Sequence, residues 1–416
     1  MSLNLDFKKI LSFLLFLVPI SFIIGAAVVE VVFILYLFFF YAAYKEKLVL
    51  FDFKKVSIFF LVFYIYINFN SLFAVEPLIA FKRSFPYFRY FLVVISFVYF
   101  LNFYKEILLK KKIFFIYLTL ILLIDSIVQF YTTKNLIGLP IFDEKTYRVS
   151  SFFGSELILG SYASKLFPVI ISLIFFSKDF KNENVNIYIF IVSVSILLIC
   201  LLSGERVAVL NVLIVICYIF FIIESSKLKK YFFSILTIIS IFLLFTENPV
   251  KERLVKSTIE SFTVKETTTI ESDILYFSEI HHSHILSAYK MFKDKPLIGN
   301  GLNSYRYLCN KKKYRINDLS CSTHPHNSYL LFMSDLGILG IIFFLISLFY
   351  FFSSFIKFFF KTNRPYVKSL QCVTVGILFF YIPIPTGSFF NNFYSYQFFY
   401  LVTFYFLYLK LYNNTQ

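Results

Sequence analysis

The chain is built from long apolar runs separated by short polar ones. Apolar runs near 10–24, 28–44, 56–73, 86–103, 114–131, 158–176, 187–202, 207–223, 232–245, 327–356, 370–384 and 389–411 approach or exceed the roughly 20 residues that a helix needs to cross a bilayer. They predict an all-α fold, a polytopic membrane helical bundle of about twelve helices in one domain spanning 1–416. The first run is followed at once by a second, with a tight turn at Gly25, so it reads as a retained helix and not a cleavable signal. One polar stretch is far longer than the others. Residues 246–325 form a loop between the ninth and tenth helices, and Ile285, Ala288, Tyr289 and Phe292 recur in it at helical spacing. The loop therefore reads as a subdomain with a helix of its own, ended by the turn Pro296-Leu297-Ile298-Gly299-Asn300-Gly301.

Charge follows the same segmentation. Lys45, Lys47, Lys54 and Lys55 form one cluster, and Lys105, Lys110, Lys111 and Lys112 a second. Others are Lys178 with Lys181, Lys227 with Lys229 and Lys230, and Lys357 with Lys361, Arg364 and Lys368. They fall in every second loop. Assigned to the cytoplasm, they put both termini inside and the long loop outside. Such dispersal explains the net charge of +16 without nucleic acid as a partner. A composition of 59% hydrophobic, 22% aromatic and 15% charged residues excludes a soluble globular domain. Cys309 and Cys321 share the long loop and can pair if it faces an oxidising compartment.

Candidate chemistry gathers where the long loop meets the tenth helix, at His324-Pro325-His326-Asn327. All five histidines lie between His281 and His326. Asn327 is placed to cap the helix that follows, and Pro325 restricts the residue before it. Gly337 and Gly340, spaced i, i+3, predict a flat face that another helix can approach closely. His326 is the candidate proton acceptor, because an imidazole titrates near neutral pH. For the other histidines an exposed loop position is the commoner reading, and their spacing fits no standard zinc set. Arg206 begins the eighth helix, in Ser203-Gly204-Glu205-Arg206, at the same predicted membrane face as His326. It reads as a residue snorkelling to headgroups or pairing with Glu205, or as a phosphate contact. Lys82, Arg83 and Arg89 depart from the positive-inside pattern, as interfacial anchors or as further phosphate contacts. No Walker-type loop, GxSxG elbow or dinucleotide fingerprint is present.

Taken in order, these segments resemble the motifs of the O-antigen ligase and O-antigen polymerase superfamily of bacterial membrane glycosyltransferases. His326-Asn327, nine residues, Gly337, two residues, Gly340 is similar to its His-Asn…Gly-x-x-Gly motif. Ser203-Gly204-Glu205-Arg206 resembles its Thr-Gly-Ser-Arg element, and Pro296 to Gly301 its Pro-x-x-Gly-x-Gly turn. Arg148 with Ser151-Phe152-Phe153-Gly154 is a looser match to the Arg…Gly-x-Phe stretch ahead of the sixth helix. Two positions depart from the pattern. Glu205 stands where the family has Ser, and His284 stands nearest the place of the family's loop-helix Arg, with Arg253 and Arg306 as alternatives.

The resemblance implies a donor glycan on undecaprenyl diphosphate and an acceptor hydroxyl on lipid A–core, or on a second lipid-linked glycan in a polymerase. It implies residence among membrane lipids of the bacterial inner membrane, a site facing the periplasm, and no cofactor or metal. His326 would act as base and Arg206 would stabilise the diphosphate. His284, Arg148, Arg89, Asn327 and His324 would contact substrate, while Gly299, Gly301, Gly337 and Gly340 shape turns and packing. A flippase for lipid-linked oligosaccharides is the competing class. It predicts Gly- or Pro-broken helices near mid-bilayer in both halves, and such breaks are few apart from Pro383 and Pro385. A scaffold role leaves His326 and Arg206 unexplained.

Overall fold

The computed structural model describes residues 5–44, 53–143, 146–177, 185–223, 225–262, 278–361 and 364–414. Among these the chain is helical, with one isolated β-bridge between Lys134 and Pro140. Helices α1 (Leu5–Ile24) and α2 (Ala26–Ala43) part at Gly25, as expected. Next come α3 (Lys54–Leu72), the short α4 (Pro77–Ser84), α5 (Phe88–Phe103) and α6 (Glu106–Thr132). Helices α7 (Leu159–Ser177), α8 (Val185–Leu202), α9 (Arg206–Ile222) and α10 (Ser226–Phe245) lead into the long loop. That loop carries α11 (Pro249–Lys251), a π-helical turn Glu252–Lys256, α12 (Ser257–Phe262), α13 (Glu279–Asp294) and α14 (Tyr305–Leu308). Helices α15 (Ser328–Phe359), α16 (Pro365–Leu378) and α17 (Asn392–Asn413) complete the bundle.

Among the described residues, eight spans are long and apolar enough to cross a membrane, and α9 is a shorter apolar helix. Length and composition therefore do not establish the expected count of twelve. Helix α16 has 14 residues, about 21 Å of rise against a hydrocarbon core of about 30 Å. Helix α10 opens on Lys227, Lys229 and Lys230. Helix α17 is long but rich in Tyr, and it needs no lipid-compatible surface because it is buried along almost its whole length. Of the basic clusters that orient the chain, Lys45, Lys47, Lys178 and Lys181, with the side chains of Lys110 and Lys111, lie outside the described residues.

Helices α7, α16 and α17 form the centre, with α5, α8 and α9 packed around them. Aromatic stacking holds it together: Phe33 on Tyr396 at 4.5 Å and Tyr90 on Phe399 at 5.1 Å. Buried phenols need hydrogen-bond partners, and Tyr408 has Ser172 at 3.1 Å. In the long loop the helix expected around Ala288 is α13. Ser278 caps it, and Ala288 and Met291 join Tyr305, Leu308 and Tyr314 in a small apolar cluster. Cys309 and Cys321 are joined in a disulfide.

Gly337 does not lie on a flat helical face. Its backbone (φ 66°, ψ −161°) breaks α15, and the Pro296 to Gly301 turn packs into the break. Ile338 N donates to Pro296 O and Gly301 N to Asp335 O, both at 2.8 Å. The Asp335 carboxylate accepts from Asn303 N at 3.0 Å and Ser304 Oγ at 2.9 Å. A Cβ on Gly337 would stand 2.4 Å from Leu297 O. The two glycine motifs are thus halves of one joint, and the partner of Gly337 is a turn and not a helix.

Candidate active site

At the end of the bundle that holds Gly25, residues 203–206 and the long loop, the connecting segments enclose an open cleft of ≈ 1020 Å³. Arg148, Lys165, Arg206 and Arg253 line it, against Glu156 and Glu205.

The arginine wall is built on the turn before α9. A Cβ on Gly204 would lie 3.1 Å from Arg253 Cγ and 3.3 Å from Arg148 Cγ, so two arginine stems flank the turn closely. Arg206 Nε donates to Arg253 O at 3.4 Å. Arg148 donates to Ser203 O at 3.1 Å and Leu157 O at 2.9 Å. Its own loop is anchored from α6: buried Gln129 Oε1 accepts from Ser150 N at 3.1 Å and Ser151 N at 2.6 Å. Glu205 turns toward α7. Its carboxylate accepts from Gly160 N at 2.8 Å and Ser161 N at 3.0 Å, and Arg148 stands 3.8 Å away. Acceptance of helix N-terminal amides by a carboxylate is favourable. Burial nevertheless pushes the Glu205 carboxyl up to about 6, against the opposing pull of Arg148, Lys165 and the two amides.

The histidine wall faces it. His326 has φ 53°, a left-handed conformation that is costly for a non-glycine residue and persists only where surroundings enforce it. The enforcing segment is the loop before α17. Thr386 N donates to His326 O at 3.0 Å, and Thr386 O stands 3.0 Å from His324 Nε2. Ser322 Oγ lies 3.0 Å from His326 Nε2. Asn327 caps α15 as expected, its side-chain oxygen accepting from Leu330 N at 3.1 Å, which engages that oxygen in structure. The rings of His324, His284 and His281 lie 4.1, 5.4 and 5.7 Å from that of His326. Among the described residues no group of three or more His, Cys, Asp or Glu has metal-holding geometry.

Burial, followed by the neighbouring imidazoles, holds His326 down to about 3 and His284 down to about 4. The expectation that His326 titrates near neutrality is thereby altered: the ring stays neutral and is a weak base. His324 and His326 line the cleft, whereas His284 is 4% exposed behind His326, its Nδ1 lacking a partner among the described residues. Arg253, one of the alternatives the sequence offered beside His284, lines the cleft.

Arg89 stands elsewhere. It pairs with Glu30 at 2.6 Å and donates to Tyr396 Oη at 3.2 Å, between α2, α5 and α17. Sequence reasoning missed Lys165 and the Thr386 loop. The available signals were a lysine four residues after Ser161 within an apolar run, and the Pro383, Pro385 and Gly387 cluster between two helices.

A family model described as O-antigen ligase matches residues 190–345, which hold Arg206, Arg253, the histidines and both glycine motifs. No curated protein matches the chain. The match bears out the resemblance to the O-antigen ligase and polymerase superfamily.

Proposed function

From its place in that superfamily, we propose that the chain transfers a glycan from undecaprenyl diphosphate to a sugar hydroxyl of lipid A–core, at the periplasmic face of the bacterial inner membrane. The observation that carries this reading is the meeting of Arg148, Arg206 and Arg253 with His326 in one cleft. Planar guanidinium groups match phosphate oxygens in a fork. The Cys309–Cys321 disulfide supports an oxidising compartment on that side.

The acceptor hydroxyl attacks the anomeric carbon. Its new C–O bond forms as the bond from that carbon to the diphosphate oxygen breaks, and the electron pair leaves on the diphosphate. Arg206 and Arg253 stabilise that charge as it develops. The hydroxyl proton passes to a ring nitrogen of His326, and one displacement inverts the anomeric centre. A ring held at about 3 is a poor base. The diphosphate brings negative charge beside it, which favours the protonated ring and raises its basicity when donor is bound.

A polymerase would differ in its acceptor, a second lipid-linked glycan. The test reconstitutes the protein in liposomes with undecaprenyl-diphosphate glycan and lipid A–core, alongside His326→Ala and Arg206→Ala. Glycan on the core, lost in both variants, is expected. Longer lipid-linked chains would identify a polymerase, and no transfer by folded wild-type protein overturns the reading.

A further inference from the structure

Helix α3 stands apart from α5, α15 and α17 around a partly open cavity of ≈ 300 Å³. Phenylalanine rings bridge the gap: Phe60 on Phe91 at 4.6 Å, Phe59 with Phe343 at 5.6 Å and Phe53 with Phe406 at 4.8 Å. The lining is apolar or aromatic except for Ser347 and Lys55. Ser347 is engaged, donating to Phe344 O at 2.8 Å and sharing a hydrogen bond with Tyr381 Oη at 2.8 Å. Lys55 is the one charged group on the cavity wall among the described residues.

The cavity has a direction. Lys55 lies in the first turn of α3, and the opposite end of that helix meets the long loop, where Val75 N donates to Asn300 O at 3.0 Å. The Lys55 end therefore faces away from the arginine cleft. Phe63, further along the same wall, stands about 12 Å from Lys55 at ~1.5 Å per residue. One leaflet of a hydrocarbon core of about 30 Å is about 15 Å deep. The cavity thus runs from the lysine end toward mid-bilayer, over the span of one acyl chain. Left empty in a bilayer, its rings would lose dispersion contacts on that side, and hydrocarbon restores them. Lys54 and Lys55 are both exposed, and none of the ion pairs among the described residues includes either. Basic groups beside a pocket between membrane helices attract anionic headgroups. We propose that the cavity holds one acyl chain of an anionic phospholipid from the leaflet opposite the cleft, with the lipid phosphate at Lys55 and Lys54. The site is independent of the transfer reaction, whose diphosphate belongs to the other end of the bundle. A chain seated there braces α15 below its break, because Phe344 lines the cavity and packs on Tyr329 at 5.0 Å.

The experiment titrates the purified full chain in detergent with phosphatidylglycerol, phosphatidylcholine of the same acyl chains, or undecaprenyl monophosphate. Native mass spectrometry reads bound lipid, and thermal unfolding reads stability. Wild type is compared with Lys54→Gln/Lys55→Gln and with Val402→Phe, which adds bulk to the cavity wall. Wild type should retain phosphatidylglycerol preferentially and unfold at a higher temperature with it. The double Gln variant should lose roughly thirtyfold in affinity for phosphatidylglycerol, about fivefold per lysine, with phosphatidylcholine unaffected. Val402→Phe should lose the stabilisation by phosphatidylglycerol. Both lysines are exposed, so the double variant is expected to fold even where overpacking destabilises Val402→Phe. Equal retention of the two phospholipids by wild type, or a preference unchanged in the folded double variant, overturns the anionic site. Phosphatidylglycerol held as tightly by folded Val402→Phe as by wild type overturns the cavity as its seat. Undecaprenyl monophosphate displacing phosphatidylglycerol from wild type overturns the choice of occupant, and wild type retaining no lipid overturns the proposal outright.

Discussion

Replacing Gly337 with Ala tests whether the break in α15 and the Pro296 to Gly301 turn are one joint. The new Cβ would lie 2.4 Å from Leu297 O, 2.5 Å from Leu297 C and 2.7 Å from Gly299 N. All three are backbone atoms, so no flexible side-chain tip can swing away. The position itself (φ 66°, ψ −161°) is one that only glycine adopts readily, and forcing another residue into it costs about 1–3 kcal/mol. Relief by withdrawing the turn would break the bond from Ile338 N to Pro296 O at 2.8 Å and weaken that from Leu339 N to Leu297 O at 3.4 Å. Each is worth about 1 kcal/mol. Strain and lost bonds together come to on the order of 4 kcal/mol, roughly a thousandfold in the closure of the joint. His326 is attached to the short first segment of α15, so an open joint also displaces the proposed base. Thermal unfolding in detergent and glycan transfer are the two readouts. Gly138 supplies the control: it has φ 86° but nothing within 4 Å of an added Cβ, so Gly138→Ala should show strain alone. Gly337→Ala unfolding and transferring like wild type would refute the joint.

Glu205 makes stability depend on pH. Its folded-state carboxyl, near 6 against an ordinary 4.5, holds a proton more tightly than the unfolded chain does, so its contribution falls by about 2 kcal/mol as pH rises through that window. Glu205→Gln should flatten the unfolding-temperature profile between those values, and an unaltered profile refutes the burial argument. For His326, the free protein should hold the ring neutral down to about 3, whereas bound diphosphate raises it. The acid limb of kcat should therefore lie at higher pH than that of kcat/KM, and the reverse order excludes His326 as the donor-activated base. Arg89→Met leaves Glu30, 25% exposed, without its guanidinium partner. Stability should fall by on the order of 3 kcal/mol with donor KM unchanged; a raised KM at full stability would place Arg89 in the binding site.

Much of the framework was legible because membrane helices leave the same mark whatever they surround. Apolar runs, the loop helix α13, the Asn327 cap and the common face of Arg206 and His326 all follow from local pattern and alternating charge. The break at Gly337 does not, since glycines at i, i+3 serve a flat helical face and a reversed φ equally well. What decides between them is the arriving Pro296 turn, some forty residues earlier. Lys165 was hidden for a related reason. In sequence it is one lysine in an apolar run, and its meaning appears only when every other residue of α7 except Ser161 proves buried. The low basicity of His326 likewise depends on burial, and then on rings from α13 and a loop, that spacing does not bring together. Arg89 was read as an interfacial anchor or a phosphate contact because Glu30, its partner, lies far from it in sequence, on α2.

The glutamate that departs from the family pattern is best understood together with the lysine near it, since both reach Ser161. A Ser at position 205 could not accept both first amides of α7 while facing Arg148. Glu205 does so, and it fixes the helix that carries Ser161 and Lys165 to the turn that carries Arg206. It also alters the charge of the cleft. Four cations line it, against two carboxylates, so the excess equals the two charges of a diphosphate diester. Without Glu205 the cations would repel one another more strongly; without Lys165 the excess would fall by one charge. On this reasoning the acid and the lysine compensate one another. In the proposed reaction the departure then adjusts how the diphosphate is held and leaves the roles proposed for Arg206 and His326 unchanged.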